Sequence, residues 1–181
     1  MKKIVFITGN QHKADYLAHW LRLPVTHHKL DLDELQSLDP FVVAEHKARQ
    51  AYEILQEPVL VEDTSLRFTA MGRLPGTLIK WFLGEVGNSG LCKIADGLGS
   101  REAHATVTYG YCDGRDVHFF VGTTQGSVAK VPRGEHGMGF DPSFIPDGQS
   151  KTFAEMTVEE LEPFSPRAKA ILKLKEFLEQ D

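Results

Sequence analysis

The strongest constraint on the fold is a short apolar run that leads directly into acids and hydroxyls: residues 59–65 read Val-Leu-Val-Glu-Asp-Thr-Ser. Strands that read as continuous apolar runs are usually covered on both faces, which favours an α/β sheet. In such sheets the ligand crevice lies beyond the carboxyl ends of the strands, and we expect Glu62 and Asp63 to lie there. Neighbouring carboxylates repel each other unless a cation, a shared proton or solvent relieves them. The acids therefore indicate either a site for a divalent metal or an exposed turn that caps the next element.

The first third of the chain alternates between strand-like and helix-like patterns. We predict a strand over 4–7, a helix over 11–22, an edge strand over 25–32, a helix beginning at Asp39-Pro40 and a strand over 59–61. This β-α-β-α-β order is typical of an α/β protein. We expect an elongated central mixed sheet flanked by helices.

The rest of the chain adds helices and a hairpin to this sheet. Helical patterns cover 78–86 and 91–95, and Asp113-Gly114 joins two strand-like runs, 103–112 and 116–130. A glycine-dense loop, a short strand over 143–145, a capping box at Thr157 and Glu160, and a final helix opened by Ser165-Pro166 follow. Because no repeat or linker interrupts the chain, residues 1–181 are predicted to form a single domain.

Composition excludes some classes of protein. With a net charge of −5, the chain has no general attraction for nucleic acid, so a polyanionic substrate would need local cations or a metal. Its two cysteines form no framework, which favours a reducing compartment. No stretch has the length of a membrane span, and the amino terminus does not resemble a signal peptide. We therefore expect a cytoplasmic protein without a membrane partner.

Thr8, Gly9 and Asn10 form a glycine turn between the predicted strand over 4–7 and the predicted helix over 11–22. This arrangement brings backbone N–H groups to a helix N-terminus, where an anion is stabilised. Lys13 lies about one turn into that helix and could reach the same anion. The segment is not a P-loop, and the alternative is a plain turn with a solvated lysine.

Three further cations are candidates for anion binding. Lys47 lies on the flank of an alanine stripe, and Lys80 lies within an apolar run, yet either could be an ordinary surface lysine. Arg167 falls in the first turn of the last helix, where the helix dipole disfavours a cation by about 0.3–1 kcal/mol. An acceptor for its guanidinium would explain that position.

The segment Gly139, Phe140 and Asp141 combines close backbone approach, a flat apolar ring and a hydrogen-bond acceptor. That combination suits stacking and edge recognition of a heteroaromatic base. The alternative is a tight structural loop with a phenylalanine in the core.

Taken together, these segments resemble the inosine triphosphate pyrophosphatase family. The matching strings run in order from residue 4 to about residue 178 and lie at 8–13, 30–34, 61–66, 74–82, 132–134, 139–144 and 152–156. A single string would be weak, but the collinear set is highly specific.

The resemblance implies an elongated α/β fold with a cleft between two lobes, usually assembled as a homodimer. It implies hydrolysis of the nucleoside triphosphates ITP, dITP and XTP to the monophosphate and pyrophosphate, dependent on Mg²⁺ or on Mn²⁺ in its place. It also implies roles for individual residues. Asp63 matches the catalytic proton acceptor; the metal ligands would be Glu34, Glu62 and Asp63; and substrate contacts would fall on Thr8, Gly9, Asn10, Lys13, Lys47, Thr64, Lys80, Gly139, Phe140, Asp141, Ser165 and Arg167.

The chain departs from the family pattern at two positions that belong to base recognition. Leu161 stands where the family has lysine, and Pro166 where it has histidine, while Ser165 and Arg167 are retained. The preferred base is therefore open, and the site could be retuned to another modified nucleotide. Two rival functions are a nucleotide-binding sensor without turnover and a Maf-type pyrophosphatase.

Overall fold

The structure, a computed structural model, describes residues 3–180 and has the predicted α/β architecture. Its strands are β1 (Ile4–Ile7), β2 (Val25–His28), β3 (Val59–Phe68), β4 (Pro75–Gly76), β5 (Glu102–Cys112), β6 (Val117–Val128) and β7 (Phe144–Pro146). Its α-helices are α1 (Gln11–Leu21), α2 (Pro40–Leu55), α3 (Ile79–Gly97), α4 (Val158–Leu161) and α5 (Pro166–Gln180). Among residues 3–180, no helix has both the length and the apolar character needed to cross a membrane.

The strands form one mixed sheet in the order β2-β1-β3-β5-β6-β7, and β4 pairs with β3. β1 is parallel to both β2 and β3, whereas β3–β4 and β6–β7 are antiparallel. β2 lies at the edge, as the sequence predicts. The mixed sheet is therefore confirmed.

The chain divides into two compact units. One contains the segments up to Asp63, Val107–Gly122 and from Arg167 onward, and the other contains Thr64–Thr106 and Thr123–Pro166. The assignment of residues 1–181 to a single domain stays a prediction.

In the first unit, the strands bury side chains on both faces. Ile4, Phe6 and Leu60 belong to one apolar cluster with residues of α1 and α5. The neighbouring positions on the same strands belong to a second cluster with the alanines of α2: Val5, Val59, Val61, Ala44, Ala48 and Ala51. Because side chains alternate along a strand, the two clusters cover opposite faces of the sheet. The apolar run at Val59 thus has the double-sided burial expected from its sequence.

An apolar cluster of the second unit is built on the distal part of β3 and on α3. Leu66, Phe68, Leu91 and Phe144 are essentially inaccessible to solvent. α3 is interrupted at Gly87, whose φ of 63° lies in the left-handed region that glycine adopts without strain. That interruption accounts for the two separate helical patterns, 78–86 and 91–95.

The predicted bounds of two strands were wrong. β2 ends at His28 rather than at residue 32, because its register with the short β1 ends at the pair Ile7 and His28. β3 continues to Phe68, because buried Leu66 and Phe68 alternate with exposed Arg67, which gives a period of two. Glu62 and Asp63 therefore lie within a strand, neither beyond its end nor in an exposed turn.

The predicted helix starts are confirmed by their capping bonds. The side chain of Asp39 accepts a hydrogen bond of 2.9 Å from the backbone N–H of Phe41, with Pro40 in the first turn. Thr157 and Glu160 cap each other's backbone N–H groups at the start of α4, at 3.0 and 3.3 Å. Local sequence signals are sufficient to begin these helices.

Candidate functional site

The two adjacent acids of β3 point to opposite faces of the sheet. Because side chains alternate along a strand, Glu62 lies on the same face as Leu60, which packs with α1 and α5. Asp63 lies on the same face as Val61, which packs with α2. Each carboxylate therefore has its own surroundings. The repulsion expected from their adjacency in sequence is reduced by this separation.

Glu62 is enclosed by two cations and a phenol. Its Oε1 accepts from Lys13 Nζ at 2.8 Å and from an Arg167 Nη at 3.0 Å. Its Oε2 accepts from Arg167 Nε at 2.9 Å and from the Tyr109 hydroxyl at 2.7 Å. The bidentate Arg167 contact is the geometry in which guanidinium and carboxylate bind most strongly. The side chain is 3% exposed.

These contacts determine the charge state of Glu62. Burial by itself would raise its pKa, but Arg167 and Lys13 outweigh burial and hold the pKa well below its usual range. Burial and the neighbouring carboxylate raise the pKa of Tyr109 well above its usual value, which keeps the phenol a hydrogen-bond donor. The group as a whole carries one excess positive charge, since two cations face one carboxylate.

Asp63, on the other face, is buried with much less compensation. Its Oδ1 accepts from Lys47 Nζ at 3.1 Å, whereas its Oδ2 is buried without a hydrogen-bond partner among residues 3–180. Burial raises the pKa of Asp63, and Lys47 offsets this only in part. A carboxylate of this kind retains a demand for a further cation or donor.

The predicted metal ligands do not form one cluster. Within the described part of the chain, no group of three or more His, Cys, Asp and Glu side chains comes together that could hold a metal ion. Both carboxylate oxygens of Glu62 already accept hydrogen bonds from cations. Glu34 is exposed in the segment between β2 and α2. Of the two buried carboxylates, Asp63 fits a cation better, because its negative charge is less neutralised than that of Glu62.

The predicted phosphate loop connects β1 to α1. Asn10 caps the helix, its side chain accepting from the Lys13 backbone N–H at 3.4 Å, and its own N–H donates to Thr8 Oγ1 at 3.1 Å. Gly9 is exposed beside Lys29, where a Cβ would lie 3.2 Å from Lys29 Cδ. The loop and Lys13 are therefore together, as predicted, although the Lys13 ammonium contacts Glu62.

Four further residues predicted to contact substrate have different surroundings from one another. Arg167 has an acceptor, as its position in the helix required, but that acceptor is Glu62. Lys80 is exposed on α3 and lies over the Trp81 ring at 5.8 Å from its centroid. Thr64 is half-buried on β3, and Ser165 is buried immediately before α5. Their predicted contacts with substrate stay predictions.

The glycine loop lies in the second unit. Phe140 is 5% exposed and packs in the apolar cluster, with its ring centroid 6.3 Å from that of Phe144. Asp141 Oδ2 accepts from the Met138 backbone N–H at 2.7 Å, and Gly139 adopts a φ of 61°. This packing agrees with the interpretation of a structural loop with a core phenylalanine. The role of these residues in base binding stays a prediction.

Two residues at these sites were missed by sequence reasoning. Tyr109 reaches Glu62 from β5, and Asn88 supports the glycine loop, donating to the Gly139 carbonyl at 2.9 Å and accepting from the Ser143 hydroxyl at 2.6 Å. The hairpin signal gives the position of β5 but not its register against β3. Without that register, no local pattern distinguishes Tyr109 from an ordinary core aromatic.

Comparisons with known proteins extend over nearly the whole chain. The model of the Ham1 family matches residues 4–177. Inosine triphosphate pyrophosphatase 2 of Trypanosoma cruzi strain CL Brener is 45% identical over 177 residues, which cover 96% of this chain and 90% of that protein. Inosine triphosphate pyrophosphatase of Schizosaccharomyces pombe is 42% identical over 185 residues, which cover 100% of this chain and 97% of that protein.

Solved structures agree with this assignment. The Ham1 protein of Staphylococcus aureus superimposes with a TM-score of 0.85 at 27% identity, covering 99% of both chains. A HAM1 protein from Coxiella burnetii has the same fold, with a TM-score of 0.89 over the full length of both chains. The resemblance found in the sequence is confirmed, and the chain belongs to the Ham1 family.

Proposed function

We propose that this protein is a nucleoside triphosphate pyrophosphatase that hydrolyses nonstandard purine nucleotides, ITP, dITP and XTP, to the monophosphate and pyrophosphate. Such an activity would remove these nucleotides from the cellular pool. Two relatives that match nearly the whole chain bear the name inosine triphosphate pyrophosphatase.

The observation that carries the proposal is the contact between Asp63 and Lys47. A buried carboxylate with one cationic partner and a raised pKa is suited to accept a proton or to orient a water molecule. Hydrolysis between the α- and β-phosphates needs such a group near the α-phosphorus. Lys47 beside it would offset negative charge that develops on the leaving pyrophosphate.

Asp63 is the residue that we propose to hold Mg²⁺, or Mn²⁺ in its place, with Glu34 as the second carboxylate. Mg²⁺ is commonly held by one or two carboxylates together with substrate phosphates and waters, so a cage of protein ligands is not required. When bound, the cation supplies charge neutralisation to the phosphates. Glu62 fits this role less well, because both of its oxygens already accept hydrogen bonds from cations.

Lys13 beside Glu62 supports phosphate binding near Asp63, because its charge also lowers the pKa of Asp63. Lys13 and Arg167 together exceed the charge of Glu62 by one, and the side chain of Lys13 is 23% exposed at the first turn of α1. The loop of Thr8, Gly9 and Asn10 precedes that turn, where an anion is favoured. Lys80 is the further phosphate contact implied by the family pattern.

Recognition of the base is proposed to involve Phe140, Asp141, Ser165 and Arg167. Leu161, which replaces the lysine of the family pattern, packs against the apolar cluster of the second unit. An apolar contact at this position cannot donate a hydrogen bond to a base, so discrimination against ordinary nucleotides would be weaker. The same observation supports the second candidate function, a pyrophosphatase retuned to another modified nucleotide.

A homodimer in a reducing cytoplasm completes the proposal. Both cysteines, Cys92 and Cys112, are free and buried, which agrees with a reducing compartment. Sedimentation of the purified protein at micromolar concentration would measure the oligomeric state.

The test is to incubate the protein with ITP, dITP, XTP, GTP and ATP, with Mg²⁺ or with excess EDTA, and to identify the phosphate product. Release of pyrophosphate from ITP and XTP, abolished by EDTA, is the expected result. Release of orthophosphate, or full activity in EDTA, would contradict the proposal.

Absence of turnover on all five nucleotides would leave two candidates, the retuned enzyme and the nucleotide-binding sensor. Calorimetric titration with ITP then distinguishes them. The sensor binds ITP without hydrolysing it, and the retuned enzyme binds it poorly.

A further inference from the structure

Three buried side-chain oxygens of the first unit have no hydrogen-bond partner among residues 3–180: Thr26 Oγ1, Asp63 Oδ2 and Thr108 Oγ1. Thr26 lies on the same face of the sheet as Asp63, since it pairs with Val5, but on the edge strand β2. Asp63 and Thr108 lie on the neighbouring strands β3 and β5. Thr108 is 1% exposed and Asp63 8%. An unsatisfied buried hydroxyl costs about 1–3 kcal/mol, so such an atom in a native protein calls for an explanation.

The register between β3 and β5 brings the two residues together. The strands are neighbours in the sheet, and a Cβ at Gly110 would lie 3.2 Å from Val61 Cγ2. One residue earlier on β5, Tyr109 bonds Glu62, which is one residue later on β3. The strands therefore run antiparallel, and the next pair in this register is Thr108 opposite Asp63.

Their chemistry is complementary. Directly opposed residues of an antiparallel pair have Cβ atoms about 4.5–5.5 Å apart on the same face. An ionised carboxylate oxygen only accepts, and a threonine hydroxyl donates one hydrogen bond in a direction set by its rotamer. Because both atoms are buried, bulk solvent does not supply their hydrogen bonds, and a direct bond between them would satisfy both.

We propose that Thr108 is a positioning residue for Asp63, which rests on the function proposed above. In the catalytic state its hydroxyl donates to Asp63 Oδ2, the inner oxygen of the carboxylate. The outer oxygen, Oδ1, is then held at a fixed angle beside Lys47, where it faces the reacting water. The hydroxyl of a threonine takes up different staggered positions about the Cα–Cβ bond, so it can change direction without a movement of the strand.

The test compares Thr108→Val with Thr108→Ser, because valine keeps the shape of threonine and serine keeps the hydroxyl. Thr26→Val is the matched control, since Thr26 Oγ1 is also buried without a partner in the described part of the chain, but lies on β2. We expect kcat for ITP to fall about 10- to 100-fold in Thr108→Val, the loss typical of a misplaced reacting group. KM should stay within about twofold, and the serine variant and the control should retain the parental kcat.

A structural role alone would change stability but not kcat, so unfolding in urea is measured for all variants. Parental kcat in a folded Thr108→Val would overturn the inference while leaving the proposed function intact. A parent without turnover would overturn the proposed function instead.

If the parent shows no turnover, the inference is tested by NMR instead. The carboxyl ¹³C resonance of Asp63 is assigned by its absence in Asp63→Asn and is measured with Mg²⁺ and a non-hydrolysable ITP analogue present. It should shift in Thr108→Val and keep its parental position in Thr108→Ser and Thr26→Val. An identical resonance in all three variants would overturn it.

Discussion

The two faces of β3 provide opposite electrostatic surroundings for a buried carboxylate. Glu62 accepts hydrogen bonds from Lys13, Arg167 and Tyr109, and its pKa is held well below the usual range. Asp63, the next residue, has one bond from Lys47 and a raised pKa. The first carboxylate stabilises the fold in its ionised form, whereas folding disfavours the ionised form of the second.

This difference indicates a division of labour between adjacent acids. A fully neutralised carboxylate is a poor base and a poor metal ligand, so Glu62 acts as the counter-ion that gathers two cations. An under-neutralised one is reactive, because it gains from a proton or a metal. Substitutions at the two positions should therefore affect different properties of the protein.

Asp63→Asn is expected to have the largest effect, a loss of kcat on the order of 10³-fold, because the proton acceptor is removed. Its stability should stay within about 1 kcal/mol of the parent, since folding disfavours the ionised form of this group. Assays of pyrophosphate release and urea unfolding measure the two quantities. The exposed Asp147→Asn is the matched control, and turnover of Asp63→Asn within a few-fold of the parent would remove Asp63 from the mechanism.

Glu62→Gln is expected to act mainly on stability. It leaves Lys13 and Arg167 without their counter-ion, and breaking a buried pair in this way typically costs about 3–5 kcal/mol. Urea unfolding at pH 7 measures the loss, with the exposed Glu53→Gln as control. If the two glutamine variants prove equally stable, the Glu62 group does not hold the fold together.

Tyr109→Phe removes one donor from Glu62 and keeps the ring in the core. A hydrogen bond to a charged group contributes about 1.5–3 kcal/mol, and we expect a loss in that range. Tyr52→Phe is the control, because the Tyr52 hydroxyl has no hydrogen bond among residues 3–180. Equal unfolding midpoints for the two phenylalanine variants would contradict the expectation.

Lowering the pH is expected to have the smallest effect on stability. The direction of that effect follows from the lowered pKa of Glu62. This group stabilises the folded state fully above the ordinary carboxyl value of 4.5 and progressively less as pH falls toward its folded pKa. Between pH 7 and pH 4, the gap in unfolding free energy between the parent and Glu62→Gln should narrow by about 0.8 kcal/mol. Urea unfolding at the two pH values measures it, and a gap that widens in acid would show that the pKa of Glu62 is raised instead.

The main error in predicting the site from sequence concerned the length of β3. Ending the strand at Val61 placed Glu62 and Asp63 together beyond its end, although the alternation of Leu66 and Phe68 already indicates continuation to Phe68. A strand that continues sends adjacent acids to opposite faces, which the dipeptide alone does not reveal. In contrast, the position of Arg167 at a helix start did indicate an acceptor, because a cation there is unfavourable without one.

The sequence by itself determined the elements, their order and most of their ends. Periodicity, proline, glycine and capping residues act within a few positions of each other, so local physics is sufficient to predict them. Tertiary structure alone decided the partners of each carboxylate. Lys13, Tyr109 and Arg167 lie 49, 47 and 105 positions from Glu62, and such contacts depend on strand register and helix packing. These are properties of the folded sheet as a whole, and they gave one acid two cations and left its neighbour with one.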